Sequence, residues 1–412
     1  MQTQLAPEFK GTPAGEQAEA ILRRCVHCGF CTATCPTYQL LGDELDGPRG
    51  RIYLIKQVLE GAEPTRKTQL HLDRCLSCRN CESTCPSGVQ YAQLLDIGRE
   101  VVENKVERPT QERAVRWLLK EGLTSAAFKP ALRAGQLLRP LVPAALKDKI
   151  PPAPSARAQQ WPTRQHPRQV LMLLGCVQPA MMPNINSATA RVLDAAGIQT
   201  LVADEAGCCG AIRSHLADHE GGLDDMRRNV DAWWPLIQTG RIEALVMNAS
   251  GCGVTVKDYG RALAHDPVYA ERAARVSSLC KDLSELLPAL LPALKPRLKA
   301  QAARPRLAYH PPCTLQHGQQ LRGGVEAGLR ELGFEIALAP SESHLCCGSA
   351  GTYSVLQAAL SKQLRERKLA ALAPLQAEAI VSANIGCIQH LQAGSATPVR
   401  HWVEVLDEAL QG

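Results

Sequence analysis

Aromatic residues and long apolar runs are both scarce in this chain of 412 residues. Phe, Trp and Tyr make up 4% of it, and no run approaches the roughly 18 apolar residues of a membrane-spanning helix. The first fifteen residues lack the apolar core of a secretory signal. These absences predict a cytoplasmic protein in a reducing compartment, either soluble or bound to the surface of a membrane.

Glycine patterns that bind nucleotides are also missing. We find neither a Gly-x-Gly-x-x-Gly run after a strand nor a phosphate loop. The chain is therefore expected to hold no hydride-accepting cofactor, no substrate site and no catalytic residue, so any electrons must come from a partner. The net charge of +6 is mild, and no nucleic-acid motif accompanies the basic stretch at residues 101–170. We expect no nucleic-acid partner.

Cysteine, in contrast, is abundant at seventeen residues, and eight of them form two copies of one pattern. Each copy reads Cys-x2-Cys-x2-Cys-x3-Cys-Pro, the run that holds four-iron clusters in two-cluster ferredoxins. Three cysteines of a copy bind one cube, and the fourth usually binds the other cube. The pattern predicts one [4Fe-4S] cluster on Cys25, Cys28, Cys31 and Cys85, and another on Cys75, Cys78, Cys81 and Cys35.

Zinc and disulfides are weaker interpretations of these eight cysteines. Structural zinc takes four ligands, usually in pairs, and seldom a third cysteine two residues further on. Disulfide frameworks belong to small secreted chains. His27 is expected beside the first cluster rather than as a ligand, because four thiolates already satisfy each cube.

The spacing of these motifs predicts a mainly helical cluster domain. Forty residues separate Cys35 from Cys75, and they contain a helical apolar pattern between Ile52 and Leu59. Arg49 and Arg51, in the turn before it, could bond cluster sulfur or a partner, or cap the helix. The predicted divisions are a polar lead-in at 1–20, the cluster domain at 21–100, basic helices and a Pro-rich linker at 101–168, and two repeats at 169–300 and 301–412.

The two repeats each alternate strands with helices, and cysteines follow the strands. Corresponding cysteines are offset by 137, 138 and 135 residues, which indicates duplication. Alternating strands and helices predict a parallel α/β sheet in each half, with the cysteines at the ligand-binding edge. The fold class is thus α+β multidomain, a helical two-cluster ferredoxin domain followed by a duplicated α/β domain.

These later cysteines offer a further metal or redox site, with a degenerate scaffold that binds nothing as the alternative. Nearby His310, His344 and His390 are each expected to be hydrogen-bonded core or loop residues rather than ligands, and Cys280, outside the repeat, a plain buried thiol. The candidate third site consists of Cys176, Cys208, Cys209 and Cys252 in one repeat and Cys313, Cys346, Cys347 and Cys387 in the other.

A basic amphipathic segment covers residues 111–149 and includes Trp117 and Phe128. Such segments can lie in the headgroup region of a membrane. The alternative is a helix that packs on its own domain or on a partner subunit.

The motif Cys208-Cys209-Gly210, repeated at 346–348, resembles the cysteine-rich CCG family of heterodisulfide reductase subunits. In that family the motif ends in Cys-x2-Cys, whereas here Thr255 and His390 stand at the last position. The whole architecture resembles the iron–sulfur subunits of flavin-linked oxidases of 2-hydroxy acids and glycerol 3-phosphate, most closely the glycolate oxidase group. The runs that carry this likeness are 24–31, 42–51, 248–253 and 382–387.

The resemblance implies that a flavin-binding catalytic subunit oxidises glycolate to glyoxylate in a complex with a second flavoprotein-like subunit. This chain would pass the electrons on toward membrane quinone, as a peripheral protein on the inner face of the cell membrane. Alternatives are the equivalent subunit of a lactate or glycerol-3-phosphate dehydrogenase, a disulfide-reducing enzyme that uses the vicinal thiols, and a cluster-bearing sensor or scaffold without redox turnover.

Overall fold

The structure, a computed structural model, describes residues 1–141, 153, 158–299 and 304–411. Helices alone build the part of the chain that holds both cysteine motifs. Proline at the start of three of them suits the first helical turn, where no backbone N–H partner is needed. These helices are Pro13–Arg24, Phe30–Ala33, Pro36–Leu41, Pro48–Leu59, Arg66–Asp73, Asn80–Thr84 and Tyr91–Lys105.

Two further helices, Thr110–Thr124 and Phe128–Leu138, lead away from this domain. The predicted amphipathic segment is helical in both, whereas its residues 142–149 and part of the predicted Pro-rich linker lie outside the described residues. Within the described part of the chain, no helix is both long and apolar enough to cross a membrane.

The first repeat forms a parallel sheet in the order β2-β1-β3-β4. Its central strands are apolar and buried, as expected where helices cover both faces. The strands are β1 (Arg168–Met172), β2 (Ile198–Leu201), β3 (Ile242–Met247) and β4 (Cys280–Asp282). The main helices are Pro183–Ala195, His219–Ile237, Ser250–Lys257, Ala270–Leu279 and Leu283–Leu294.

The second repeat has the same topology, β6-β5-β7-β8, also all parallel. Its strands are β5 (Leu307–His310), β6 (Ile336–Leu338), β7 (Ala379–Ser382) and β8 (Val399–His401). The main helices are Gly324–Glu331, Ala358–Leu372, Ile385–Gln392 and Trp402–Gln411. The predicted fold class is confirmed.

The two repeats pack on each other through one shared hydrophobic core, which contains Val170 and Val246 of the first sheet with Leu307 and Trp402 of the second repeat. Polar contacts reinforce this interface, including an ion pair of 2.6 Å between Arg191 and Asp407. The helical domain packs on the second repeat, where Leu76 and Cys78 lie beside Cys313 and Cys346.

Candidate functional site

The two cysteine motifs adopt the same backbone path. In each, the residue before the second cysteine and the residue after it have positive φ: His27 (56°) and Gly29 (85°) in one, Ser77 (52°) and Arg79 (59°) in the other. Left-handed residues turn successive N–H groups toward a common centre, an arrangement that binds anions and cluster sulfur. The Ser77 N–H already donates to Cys75 Sγ at 3.4 Å.

Each predicted set of four cysteines lines one of two adjacent pockets, and Cys81 lines both. The first pocket, about 440 Å³ with its mouth included, is open at the surface beside the exposed Cys28. Besides thiols it is lined by apolar residues and by Tyr91, with Arg49 at its edge. The cysteines that line it include Cys25, Cys28, Cys31 and Cys85. Three of these come from the first motif and Cys85 from the second, and Cys81 of the second motif also lines this pocket.

The second pocket has the reverse composition, with three cysteines from the second motif and Cys35 from the first. Burial raises the pKa of Cys78 and Cys81 well above the usual thiol value, so metal binding must displace their protons. The Tyr91 hydroxyl donates to Cys75 Sγ at 3.6 Å. The cysteines that line this pocket are Cys35, Cys75, Cys78 and Cys81. Four thiols around one cavity suit a four-iron cluster.

A buried ion network supports the wall of the second pocket. Arg51 is fully buried, and its guanidinium donates to the His71 carbonyl at 2.7 Å and to Thr37 Oγ1 at 3.2 Å. Asp46 accepts from Arg51 at 3.4 Å and from Arg74 at 2.8 Å. Of Arg49 and Arg51, the two arginines noted in the sequence, Arg51 thus lies in the interior and holds the pocket wall.

Arg49 lies at the surface instead. It pairs with Glu44 at 2.6 Å and lies across Gly29 at the first pocket.

The later cysteines also gather, one quartet to each repeat. In the second repeat, Cys313 Sγ and Cys346 Sγ are 3.7 Å apart, and Cys347 contacts both Cys346 and Cys387. The glycine of each CCG motif, Gly210 or Gly348, has a φ of 92°, and a Cβ there would come within 2.7 Å of a backbone oxygen. Only glycine fits both demands. In the first repeat, the thiol contacts join Cys176, Cys208, Cys209 and Cys252.

The second quartet lies directly against the helical domain. Leu76 of the second cysteine motif packs with Cys313, Cys346 and Tyr353, and Cys78 joins the same cluster. Asn80 Nδ2 donates to the His344 carbonyl at 3.4 Å, and Ser83 Oγ is 3.0 Å from His317 Nδ1. The wall of the second pocket is therefore in direct contact with the second repeat.

The histidines near this quartet differ in their partners. His390 Nε2 is bonded to Ser361, at 3.2 Å from both its hydroxyl and its carbonyl oxygen, as expected of a core histidine. His310 was expected to be hydrogen-bonded too, and this prediction is wrong, because both of its buried ring nitrogens lack a partner in the described structure. Cys280 is buried on β4, with its Sγ 3.9 Å from the carbonyl oxygen of Gly253, the residue after Cys252 of the first quartet.

Both the helical domain and the two repeats match families of known proteins. A family model described as "4Fe-4S dicluster domain" matches residues 21–89, and one described as "Cysteine-rich domain" matches residues 170–257 and 307–392. The glycolate oxidase iron–sulfur subunit of Escherichia coli (strain K12) is 54% identical over the full length of both chains.

The chain belongs to the family of glycolate oxidase iron–sulfur subunits. The probable glycolate oxidase iron–sulfur subunit of Bacillus subtilis (strain 168) is 30% identical over 95% of this chain and 92% of its own length. Lactate utilization protein A of Geobacillus thermodenitrificans (strain NG80-2) is 26% identical over 58% of this chain and 98% of its own. The predicted resemblance and the predicted 4Fe-4S cofactors are confirmed.

Proposed function

We propose that this chain is the electron-carrying subunit of a glycolate oxidase complex. A partner flavoprotein would oxidise glycolate to glyoxylate, which releases two electrons and two protons, and the electrons would pass through this chain toward membrane quinone. The observation that carries the proposal is the pair of adjacent cysteine-lined pockets, each built from both motifs. Bound there, a four-iron cluster takes up and releases one electron at a time.

The proposed ligands are the eight cysteines of the two motifs. Cys25, Cys28, Cys31 and Cys85 would hold the cluster of the first pocket, and Cys35, Cys75, Cys78 and Cys81 that of the second. Left-handed turns at each motif aim N–H groups inward, and Arg51 with Asp46 holds the second pocket's wall. The second pocket lies against the second repeat, while the first lies beside the exposed Cys28.

The open mouth of the first pocket is the proposed docking face for the electron-donating partner. Val26 and Phe30 line that pocket and are 68% and 61% exposed, and the half-exposed Tyr53 packs against His27 with ring centroids 6.3 Å apart. Exposed apolar residues around a cofactor pocket are typical of a surface that another protein covers. Nothing comparable surrounds the second pocket, which the second repeat covers within the described structure.

Introducing a charge at this mouth is expected to slow reduction by the partner. Phe30→Glu should lower the rate of glycolate-driven cluster reduction in the complex at least about tenfold, since a buried unpaired carboxylate costs more than 1.4 kcal/mol. Iron content should not change. The measurement is stopped-flow bleaching of cluster absorption, with Val268→Glu, an equally exposed valine of the first repeat, as the control. Equal rates in both variants would show that the partner does not dock at this face.

The function itself is tested by anaerobic addition of substrate. In the purified complex, glycolate should reduce the clusters, followed by EPR, whereas the isolated chain with glycolate should stay oxidised. D-lactate or glycerol 3-phosphate acting in place of glycolate would favour the alternative dehydrogenases. Reduction of the isolated chain by glycolate, or turnover of a disulfide by it, would contradict the proposal of a chain without its own substrate site.

The remaining part of the proposal is peripheral attachment to the inner face of the membrane. Exposed apolar side chains support it. Arg116 and Lys120 of helix Thr110–Thr124 pair with Asp73 and Asp218 at 3.0 Å, which favours packing of this helix within the chain. Helix Phe128–Leu138 instead presents Lys129, Arg133 and Leu137 one turn apart on one exposed face. Leu137 and Leu141 are 80% and 83% exposed.

Membrane binding should therefore depend on these leucines. The double variant Leu137→Glu with Leu141→Glu should lose co-sedimentation with vesicles that contain anionic phospholipid, while Val268→Glu should keep it. A double variant that still sediments with vesicles would show that the complex attaches elsewhere.

A further inference from the structure

One buried tyrosine belongs to the walls of both cysteine-lined pockets. Tyr91 is the first residue of helix Tyr91–Lys105, is 4% exposed, and lines the first pocket as well as the second. Pro48 and Cys81 are the other residues that line both pockets. Proline has no N–H group to donate, and Cys81 is itself a proposed ligand. Tyr91 is therefore the residue of this shared wall that can donate a hydrogen bond to a ligand sulfur.

The hydroxyl of Tyr91 is directed at one of the two ligand sets. It donates to Cys75 Sγ at 3.6 Å, and Cys75 belongs to the set of the second pocket. Burial raises the pKa of Tyr91 well above its usual range, so the hydroxyl keeps its proton and remains a donor. The ring contributes to both pockets, whereas the hydrogen bond contributes to the second.

We propose that the Tyr91 hydroxyl selectively raises the reduction potential of the cluster in the second pocket. This inference rests on the proposed function, because it requires clusters on the eight cysteines. Hydrogen bonds to the sulfurs are one of the factors that set the potential of such a cluster. A donor to the Cys75 sulfur stabilises the reduced state more than the oxidised state, since the reduced state carries one more negative charge.

Burial makes such a donor important at the second pocket. Leu76 and Cys78 of this pocket pack against Cys313 and Cys346 of the second repeat, whereas the first pocket lies beside the exposed Cys28. Reduction adds a negative charge, and a buried charge costs free energy unless donors or cations compensate it. Burial alone would therefore make the second pocket the harder one to reduce, and the Tyr91 hydroxyl opposes this effect.

The arginines at the two pockets do not make the same distinction. Arg51 lines the second pocket and faces Asp46 at 3.4 Å, and Arg49 lines the first and faces Glu44 at 2.6 Å. A carboxylate thus offsets part of the positive charge at each pocket. The directed bond from Tyr91 to a ligand sulfur remains as a difference between the two environments.

The consequence is a favourable step between the pockets. The transfer moves one electron from the first pocket to the second, so the first cluster is oxidised as the second is reduced, and Tyr91 keeps its proton throughout. The first pocket faces the proposed docking surface and receives the electron. A higher potential in the second pocket draws the electron inward.

A redox titration of the full chain with its clusters, followed by EPR, tests the inference. Tyr91→Phe removes one oxygen atom and keeps the ring, so the shared wall stays filled. We expect reduction of the second cluster to become about tenfold less favourable, which for one electron is a fall of about 59 mV in midpoint potential. The potential of the first cluster should not change, and iron should stay at about eight per chain.

Two further chains complete the experiment. A chain with Cys25→Ala and Cys85→Ala lacks two ligands of the first pocket, so its remaining signal identifies the second cluster. Tyr259→Phe is the matched control. Tyr259 is also fully buried, but its hydroxyl donates to the Cys209 carbonyl at 3.0 Å in the first repeat, and it lines neither pocket. This control loses a buried hydrogen bond too and should leave both potentials unchanged.

The inference and the proposed function fail in different ways. Unchanged potentials in Tyr91→Phe overturn the inference, and so do equal falls at both clusters, because these indicate a general change in the domain. If Tyr91→Phe loses iron, electron–nuclear double resonance of wild-type chain with ¹⁷O in its tyrosine hydroxyls decides. Coupling of such an oxygen to the reduced second cluster is expected, and its absence contradicts the inference. A wild-type chain without clusters contradicts the proposed function itself.

Discussion

A chain that carries both Cys25→Ala and Cys85→Ala is expected to keep about four irons, because both cysteines line the first pocket and only one cluster is lost. A chain that carries Cys25→Ala and Cys35→Ala should lose both clusters, since these cysteines line different pockets. Iron and sulfide analysis of the two double variants measures the difference.

If each motif instead held its own cluster, the two double variants would exchange their expected iron contents. If each motif held its own cube with all four of its cysteines, Cys25 and Cys35 would share a cluster, and the pairing of Cys25 with Cys85 would remove both. The two double variants are matched in number and type of substitution, so general loss of stability affects them alike. Far-UV circular dichroism of both checks that the helices and sheets remain.

Arg51→Leu is expected to destabilise the helical domain by about 3–5 kcal/mol, the usual result of breaking a buried ion pair by removal of one partner. Arg51 is fully buried, and its loss leaves Asp46 with only Arg74 and His71 and removes the bond to Thr37. The second pocket loses part of its wall at the same time. The measurement is the urea concentration at which the visible cluster absorption is lost.

Arg23→Leu is the matched control. Arg23 also pairs with a carboxylate of the same domain, Glu19 at 2.8 Å, but it is exposed and lines neither pocket. Exposed pairs contribute about 0–1 kcal/mol, so this variant should bleach near the wild-type urea concentration. Similar shifts in both variants would mean that Arg51 does not hold the pocket.

Much of the architecture could be predicted because the chain repeats itself. The alternation of strands and helices predicted a parallel sheet in each repeat, and both sheets are present. The edge strands β4 and β8 have no comparable signal in the sequence. Each has three residues and includes a charged side chain, Lys281 or Arg400, so neither carries an apolar pattern of its own. Their pairing depends on the neighbouring strand, which only the tertiary structure supplies.

Side-chain partners could be predicted less well than elements. The sequence left the roles of Arg49 and Arg51 open, and burial separates them, because only Arg51 faces Asp46 in the interior. The sequence left open whether the basic face of helix Thr110–Thr124 meets headgroups or packs within the protein, and its Arg116 and Lys120 pair with Asp73 and Asp218. Such partners come from distant parts of the chain that a local pattern does not contain.

Anaerobic iron and sulfide analysis with EPR, on the complex before and after addition of glycolate, tests the central claim most directly. The account predicts about eight irons and eight sulfides per chain and EPR signals of reduced four-iron clusters after glycolate. A colourless chain with zinc on its N-terminal cysteines, or clusters that stay oxidised in an active complex, would contradict it.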